Sequence, residues 1–240
     1  MNIDAKNLHF KELNRKIKDS MDKDIVIDNC IGQRYIASGE KGKNIIINGV
    51  PGNALGCYLN GSTVRVNGNA QDATGDTMND GTIYIHGHCG DACGYAMRGG
   101  KIFIRDNAGY RTGIHMKQYK DKKPVIVIGG KVGSFLGEYL AGGIIIVLGL
   151  NSKDSIPVGD FCGTGMHGGK IYLRSDDLPK DLPKQVISRK ATKEDMEEVK
   201  EYIEEFCNEF KVDIEDVLKE NFFCLIPDTK NPYRQLYTHN

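Results

Sequence analysis

Neither sign of charge is in excess: Lys and Arg total 32, and Asp and Glu total 32. Nothing global therefore steers the chain toward nucleic acid or an anionic membrane surface. Residues 117–123 are locally basic and read as a solvated loop. Long hydrophobic runs are also missing, since the longest apolar stretch, residues 142–150, has nine residues and crossing a bilayer takes about 20. The N-terminus carries Asp4, Lys6, His9 and Lys11 among its apolar residues and has no signal-peptide core. Seven cysteines, an odd number without one Cys-x-x-Cys pair, point to reduced thiols in a cytoplasmic protein. No glycine string has Walker spacing or opens a helix after a strand, which argues against a dinucleotide fold.

What the chain does have is glycine, 29 of 240 residues, well above the usual ~7%. Gly56, Gly75, Gly94 and Gly113 recur at a constant interval of 19 residues. Ile45-Ile46-Ile47, Val64-Arg65-Val66, Ile83-Tyr84-Ile85 and Ile102-Phe103-Ile104 move with them at the same interval. Gly137 and Gly163 occupy the same point of later blocks, after insertions of about five residues near 117–124 and about seven near 151–157. Eight blocks result, with first strands centred on Val26, Ile46, Arg65, Tyr84, Phe103, Val127, Ile146 and Tyr172. A second apolar position, at Leu59, Met78, Met97, Met116, Leu140 and Met166, lies three residues after each glycine.

Blocks of 19 residues broken every few positions by glycine cannot hold two ordinary helices. Short strands joined by turns fit, and identical coils stacked about 4.8 Å apart pair each backbone group with the coils above and below. The expectation is a right-handed parallel β-helix of about seven to eight coils, because 19 is not divisible by the six of a left-handed hexapeptide coil. Gly56, Gly75, Gly94, Gly113, Gly137 and Gly163 should be its corners, where a Cβ would clash with the next coil.

Three segments follow: a cap over residues 1–23 with a short helix from Asn7 to Asp19, the repeats over 24–176, and a linker with helices and tail over 177–240. Thr192-x-x-Asp195 resembles a capping box, and Met196, Val199, Tyr202, Ile203, Phe206 and Phe210 share one face of the helix after it. A second short helix is expected near residues 213–220, leading into Phe222-Phe223-Cys224-Leu225-Ile226. The outward strand column, Val26, Ile46, Tyr84, Phe103, Val127, Ile146 and Tyr172, is apolar or aromatic and broken only by Arg65. Such a stripe needs cover, either from the Thr192 helix or from a partner.

Asn53, Asp72, Asp91 and Asp160 share one repeat position. Asp72 and Asp91 could pair as catalytic carboxylates of a carbohydrate-active β-helix, but Asn and Asp before a glycine corner more commonly bond turn backbone. His86, His88, Cys89 and Cys93 resemble a metal cluster, yet Cys89 and Cys93 fall in buried repeat columns.

Four strings carry a resemblance: Met97-Arg98-Gly99-Gly100-Lys101-Ile102, Tyr110-Arg111-Thr112-Gly113-Ile114-His115-Met116-Lys117, Gly137-Glu138-Tyr139-Leu140-Ala141-Gly142-Gly143 and Gly165-Met166-His167-Gly168-Gly169. The chain resembles the C-terminal GXGXG-repeat β-helix domain of the glutamate synthase large subunit, in the form that stands as a separate polypeptide. The likeness covers roughly residues 25–174, and Leu225-Ile226-Pro227 and Pro232-Tyr233 are similar to tails of stand-alone members. The resemblance implies a non-catalytic scaffold. Glutaminase-type and synthase subunits would be its partners, the latter carrying FMN and an iron–sulfur cluster, with no cofactor and no catalytic residue in this chain. Self-association is compatible with it. A subunit of formylmethanofuran dehydrogenase has a similar repeat and is the alternative scaffold.

Overall fold

The computed structural model describes residues 1–150, 152 and 156–228 of the chain. Its strands and helices run β1 (Asn2–Asp4), α1 (Phe10–Asp19), β2 (Asp24–Ile31), β3 (Asn44–Val50), β4 (Asn60–Asn67), β5 (Asp80–Ile85), β6 (Lys101–Ile104), β7 (Val125–Ile128), β8 (Ala141–Val147), β9 (Gly168–Arg174), β10 (Val186–Lys190), α2 (Lys193–Phe210), α3 (Ile214–Leu218) and β11 (Phe222–Pro227). The protein is mostly β. One 11-stranded sheet takes the order β1 through β9 in sequence, then β11, then β10. Pairing is parallel from β1 to β9 and antiparallel at β9–β11 and β11–β10, so the sheet is mixed and ends in two edges.

Register follows the 19-residue repeat. Ile46 pairs with Arg65, Arg65 with Tyr84, Tyr84 with Phe103, Phe103 with Val127, Val127 with Ile146 and Ile146 with Tyr172. Alternation along each strand sends the flanking residues to one face. Ile25 and Ile27, Ile45 and Ile47, Val64 and Val66, and their successors to Ile171 and Leu173 are buried together with Leu59, Met78, Met97, Met116, Leu140 and Met166. A second, thinner ladder joins Ala70, Cys89, Ala108, Val132 and Val158 through isolated parallel bridges.

Both ends are closed by other means. At the first, α1 begins at Phe10 behind a His9 N-cap, three residues later than the apolar pattern from Asn7 suggests, and buries Leu13 and Ile17. Asn14 Nδ2 donates to Arg34 O at 2.9 Å and Lys43 Nζ to Ile17 O at 2.6 Å, holding the helix on the second and third strands' turns. At the other end the carboxylate of Asp181 accepts from Phe161 N–H at 2.6 Å, where earlier repeats use the next repeat's carbonyl.

The C-terminal segment departs from a parallel stack. Phe222 to Ile226, expected as a tail after a helix, is β11 and turns back against β9, with β10 outside it. The insertion at 117–124 is a loop with a Tyr119/Lys122 bridge. Residues 151 and 153–155 of the other insertion, and Pro232-Tyr233, lie outside the described residues. Among the described residues no helix is long and apolar enough to cross a membrane.

Candidate functional site

Each repeat turns through residues on either side of its recurring glycine, and three alternate residues there are left-handed. Arg111, Gly113 and His115 have φ 55°, 72° and 55°, and Phe135, Gly137 and Tyr139 have 63°, 63° and 53°. The six glycines named from the sequence lie between 63° and 73°. This backbone aims successive N–H groups in opposite directions. Ala54 and Tyr58 donate to Asp72 O and Asp76 O in the following repeat, while Gly56 donates to Ile36 O in the preceding one. Each turn is thus bonded to both neighbours without a continuous strand.

What a Cβ would meet differs from the steric expectation. At Gly75 and Gly94 the obstacle is an inward isoleucine methyl of a later repeat, Ile102 Cδ1 or Ile126 Cδ1 at 2.4 Å, and not backbone. Close backbone approach occurs in another column, just after the first strands. There a Cβ on Gly49 would lie 2.2 Å from Cys30 O and one on Gly68 2.5 Å from Gly49 O.

The residues two before and two after each glycine carry exposed rings in the later repeats. His115 sits 5.9 Å from Tyr95 and stacks on Tyr139 at 5.1 Å, and Phe135 stacks on Phe161 at 5.0 Å. The Arg111 guanidinium lies 5.0 Å over Phe135 and its Nε donates to Glu138 at 3.0 Å. Sequence reasoning passed over this surface, although Tyr35, Phe135 and Phe161 recur at one repeat position and Tyr58 and Tyr139 at another.

The outward strand column is divided. Tyr84, Phe103, Val127, Ile146 and Tyr172 are buried in a second core with Val199, Ile203 and Phe206 of α2, Val217 of α3, and Phe222 and Cys224 of β11. Val26 is half-buried and Ile46 is 37% exposed, beyond the reach of that cover. Helix α2 holds its place through charge as well as burial. Arg65 donates to Glu209 through Nε (3.0 Å) and Nη2 (3.2 Å), and His86 Nε2 lies 3.0 Å from the same carboxylate. Tyr84 OH donates to Glu205 at 2.7 Å, beside a Lys101–Glu205 ion pair. Lys123 and Lys170 donate to Glu198 at 3.0 and 2.6 Å. Burial pushes Glu198 and Glu209 up, but the hydrogen bonds from Lys170 and Lys123 to the first and from Arg65 and His86 to the second outweigh it, and both carboxyls stay below their usual range.

At the start of α2 the capping box is complete. Thr192 N–H donates to Asp195 Oδ2 at 2.9 Å, and Asp195 N–H donates to Thr192 Oγ1 at 3.2 Å. Asp195 also pairs with Arg189 of β10, and chiefly that guanidinium holds its carboxyl well below the usual range. Burial and the Glu205 contact push the Tyr84 hydroxyl up, and burial pushes Tyr172 up.

The polar residues that could suggest catalysis are engaged by turn backbone or by helix α2. Asp91 N–H donates to Asp72 Oδ1 at 2.9 Å and Tyr110 N–H to Asp91 Oδ1 at 2.8 Å, so each carboxylate caps the turn of the following repeat. His88 does likewise, its Nδ1 accepting from Asn107 N–H at 3.2 Å. His86 turns away toward Glu209, while Cys89 and Cys93 are buried. Among the described residues no group of three or more His, Cys, Asp and Glu could hold a metal ion. All seven cysteines are buried and unpaired. Burial pushes the Cys162 thiol up to about 12 and Cys30 and Cys207 up to about 11.

The GXGXG motif family model matches residues 9–228, and this is the family of the domain at the C-terminal region of the glutamate synthase large subunit. An uncharacterized protein of Methanocaldococcus jannaschii is 53% identical over 184 residues, which cover 72% of this chain and 70% of the relative. Among solved structures, a chain of the formyltransferase/hydrolase complex FhcABCD from Methylorubrum extorquens, crystallised with methylofuran, aligns with a TM-score of 0.64 and 19% identity. The alignment covers 92% of this chain and 88% of that one and shows a shared fold.

Proposed function

Because the chain belongs to the GXGXG motif family, we propose that it is a non-catalytic scaffold subunit of a multi-subunit assembly. Its repeats over residues 24–176 would wind as a right-handed parallel β-helix of about seven to eight coils, capped by 1–23 and 177–240. The parallel register and the turn bonds that run one repeat forward and one repeat back support that winding. One observation carries the scaffold reading. The polar side chains that the sequence offers for chemistry, Asp72, Asp91, His86 and His88, bond turn backbone or helix α2 and converge on no common point.

The finer reading is a glutamate synthase-type assembly in the cytoplasm, with glutaminase-type and FMN/iron–sulfur subunits carrying glutamate formation from 2-oxoglutarate. The family favours it. A formyl-transferring assembly is the second reading, favoured by the fold likeness to a chain of FhcABCD over 92% of this chain. In either case FMN, iron–sulfur clusters and catalysis belong to other subunits. The purified chain should show no flavin or cluster absorbance, contain no stoichiometric zinc or iron, and form no glutamate from glutamine and 2-oxoglutarate. Stoichiometric flavin, or glutamate formed by the chain alone, would overturn the scaffold reading.

A further inference from the structure

An asparagine followed by glycine is prone to lose its side-chain amide, because the glycine nitrogen, with no Cβ beside it, can approach and attack the asparagine Cγ. The chain has three such pairs, Asn48-Gly49, Asn60-Gly61 and Asn67-Gly68. The fold treats them differently. Asn67 Nδ2 donates to Asn48 Oδ1 at 2.7 Å and Asn48 Nδ2 to Asp28 Oδ1 at 2.6 Å, so two of the three amides are held in a ladder across β2, β3 and β4. Turning either side chain onto its own backbone breaks that ladder. Their glycines are wedged as well, for a Cβ on Gly49 would meet Cys30 O at 2.2 Å and one on Gly68 would meet Gly49 O at 2.5 Å. Ring closure at either pair has to displace backbone of the preceding repeat.

Asn60 has neither restraint. Its side chain is exposed and, among the described residues, bonds to nothing. Pairing with β5 jumps from Asn60 with Asp80 to Ser62 with Gly81, and pairing with β3 starts only at Thr63, so Gly61 sits in a bulge outside both ladders. Gly61 has φ 109°, and a Cβ there would meet only Lys41 Cγ, at 3.9 Å.

We propose that Asn60 is a site of spontaneous covalent modification, the Asn-Gly pair that this fold leaves free to deamidate. The Gly61 nitrogen bonds to Asn60 Cγ and gives up its proton, the Cγ–Nδ2 bond breaks, and the amide nitrogen leaves with that proton as ammonia. Water then opens the five-membered succinimide at either carbonyl, giving aspartate or isoaspartate. No oxidant, metal or second protein is required. The next repeat shows which product the fold accepts. There Gly81 N–H donates to Asp80 Oδ1 at 2.8 Å and Lys122 Nζ to Asp80 Oδ2 at 2.9 Å, so an aspartate is accommodated at the residue that pairs with Asn60. Isoaspartate is not, since its extra backbone carbon falls between Asn60 N–H, bonded to Glu40 O at 3.0 Å, and Gly61 O, which accepts from Gly42 N–H at 3.2 Å.

The test incubates the full chain at neutral pH and physiological temperature, folded and unfolded in guanidinium, and follows each pair by peptide mass and by fragmentation that separates isoaspartate from aspartate. Unfolded, the three pairs should convert at similar rates. Folded, Asn60 should convert within about threefold of its unfolded rate, and Asn48 and Asn67 at least about tenfold more slowly than theirs, because their reaction waits for local opening. Amide exchange at Gly42 should quicken in the aged protein and not in freshly made Asn60→Asp. Asn60→Gln, whose longer side chain closes its ring far more slowly, should yield no product at this position while melting as the parent does. A folded chain in which Asn60 stays intact, or in which Asn48 or Asn67 converts as fast, overturns the proposal.

Discussion

At Gly94 the backbone has φ 69°, and Ala37 stands at the same point of the first repeat with φ 61°. A lone methyl is therefore accommodated at this position where its surroundings allow it. Gly94→Ala should cost ~1–2 kcal/mol through strain, because Ile126 Cδ1 at 2.4 Å is the end of a side chain that can rotate. Gly94→Val adds a branched side chain to the same strain and should cost about 2–4 kcal/mol. Gly49→Ala should be worse than Gly94→Ala, since its Cβ would meet the Cys30 carbonyl oxygen at 2.2 Å and backbone cannot step aside. Urea melts of the three variants check that order, and a Gly49→Ala protein as stable as Gly94→Ala would contradict the close approach. Asp91→Ala removes one acceptor for Tyr110 N–H in an exposed turn, a loss of about 1 kcal/mol. A loss above about 3 kcal/mol would mean the carboxylate does more than cap.

Helix α2 is the element whose docking is sensitive to pH. Asp195 is held below the ordinary carboxylate range, first by Arg189 and then by Thr192. A depressed folded-state pKa contributes stability that is complete above the unfolded value near 3.9 and fades as pH falls below it. Acid should therefore loosen α2 before the repeats. On the buried face of the helix the Cys207 thiol is pushed up to about 11 by burial. Its alkylation should be slow at pH 7, and amide exchange in α2 should rise below about pH 4. Asp195→Asn should weaken docking by about 1–3 kcal/mol at pH 7 and flatten that acid dependence. An unchanged pH profile in Asp195→Asn would remove the ion pair from the account.

How much of this was legible in the chain depends on which residues repeat. Val64-Arg65-Val66 and Ile83-Tyr84-Ile85 differ in chemistry yet keep the inward pair and the interval, so strand register could be read before any coordinates. The apolar face of α2 and its capping box were legible for the same reason, a period of 3.6 behind Thr192 and Asp195. Strand β10 was not, because Val186-Ile187-Ser188-Arg189-Lys190 repeats nothing and finds its partner across a helical hairpin, at Phe223 to Pro227. The ring patch was hidden because only one of three left-handed residues per turn is consistently glycine. Nothing in Phe135 or Tyr139 as letters announces a positive φ.

On the scale of the whole molecule, α2 covers the outward stripe from Tyr84 to Tyr172, while Tyr95, Tyr139 and Phe161 stay exposed along the turn edge. The most direct measurement is the native mass of this chain recovered from its own cells through a tag, at physiological salt and without crosslinker. The account expects a heteromer with fixed stoichiometry, carrying the flavin and iron–sulfur absorbance, or the formyl-transferring activity, that the isolated chain lacks. Recovery as a monomer at 26.6 kDa, or as a homo-oligomer, with any such activity remaining elsewhere, would contradict it.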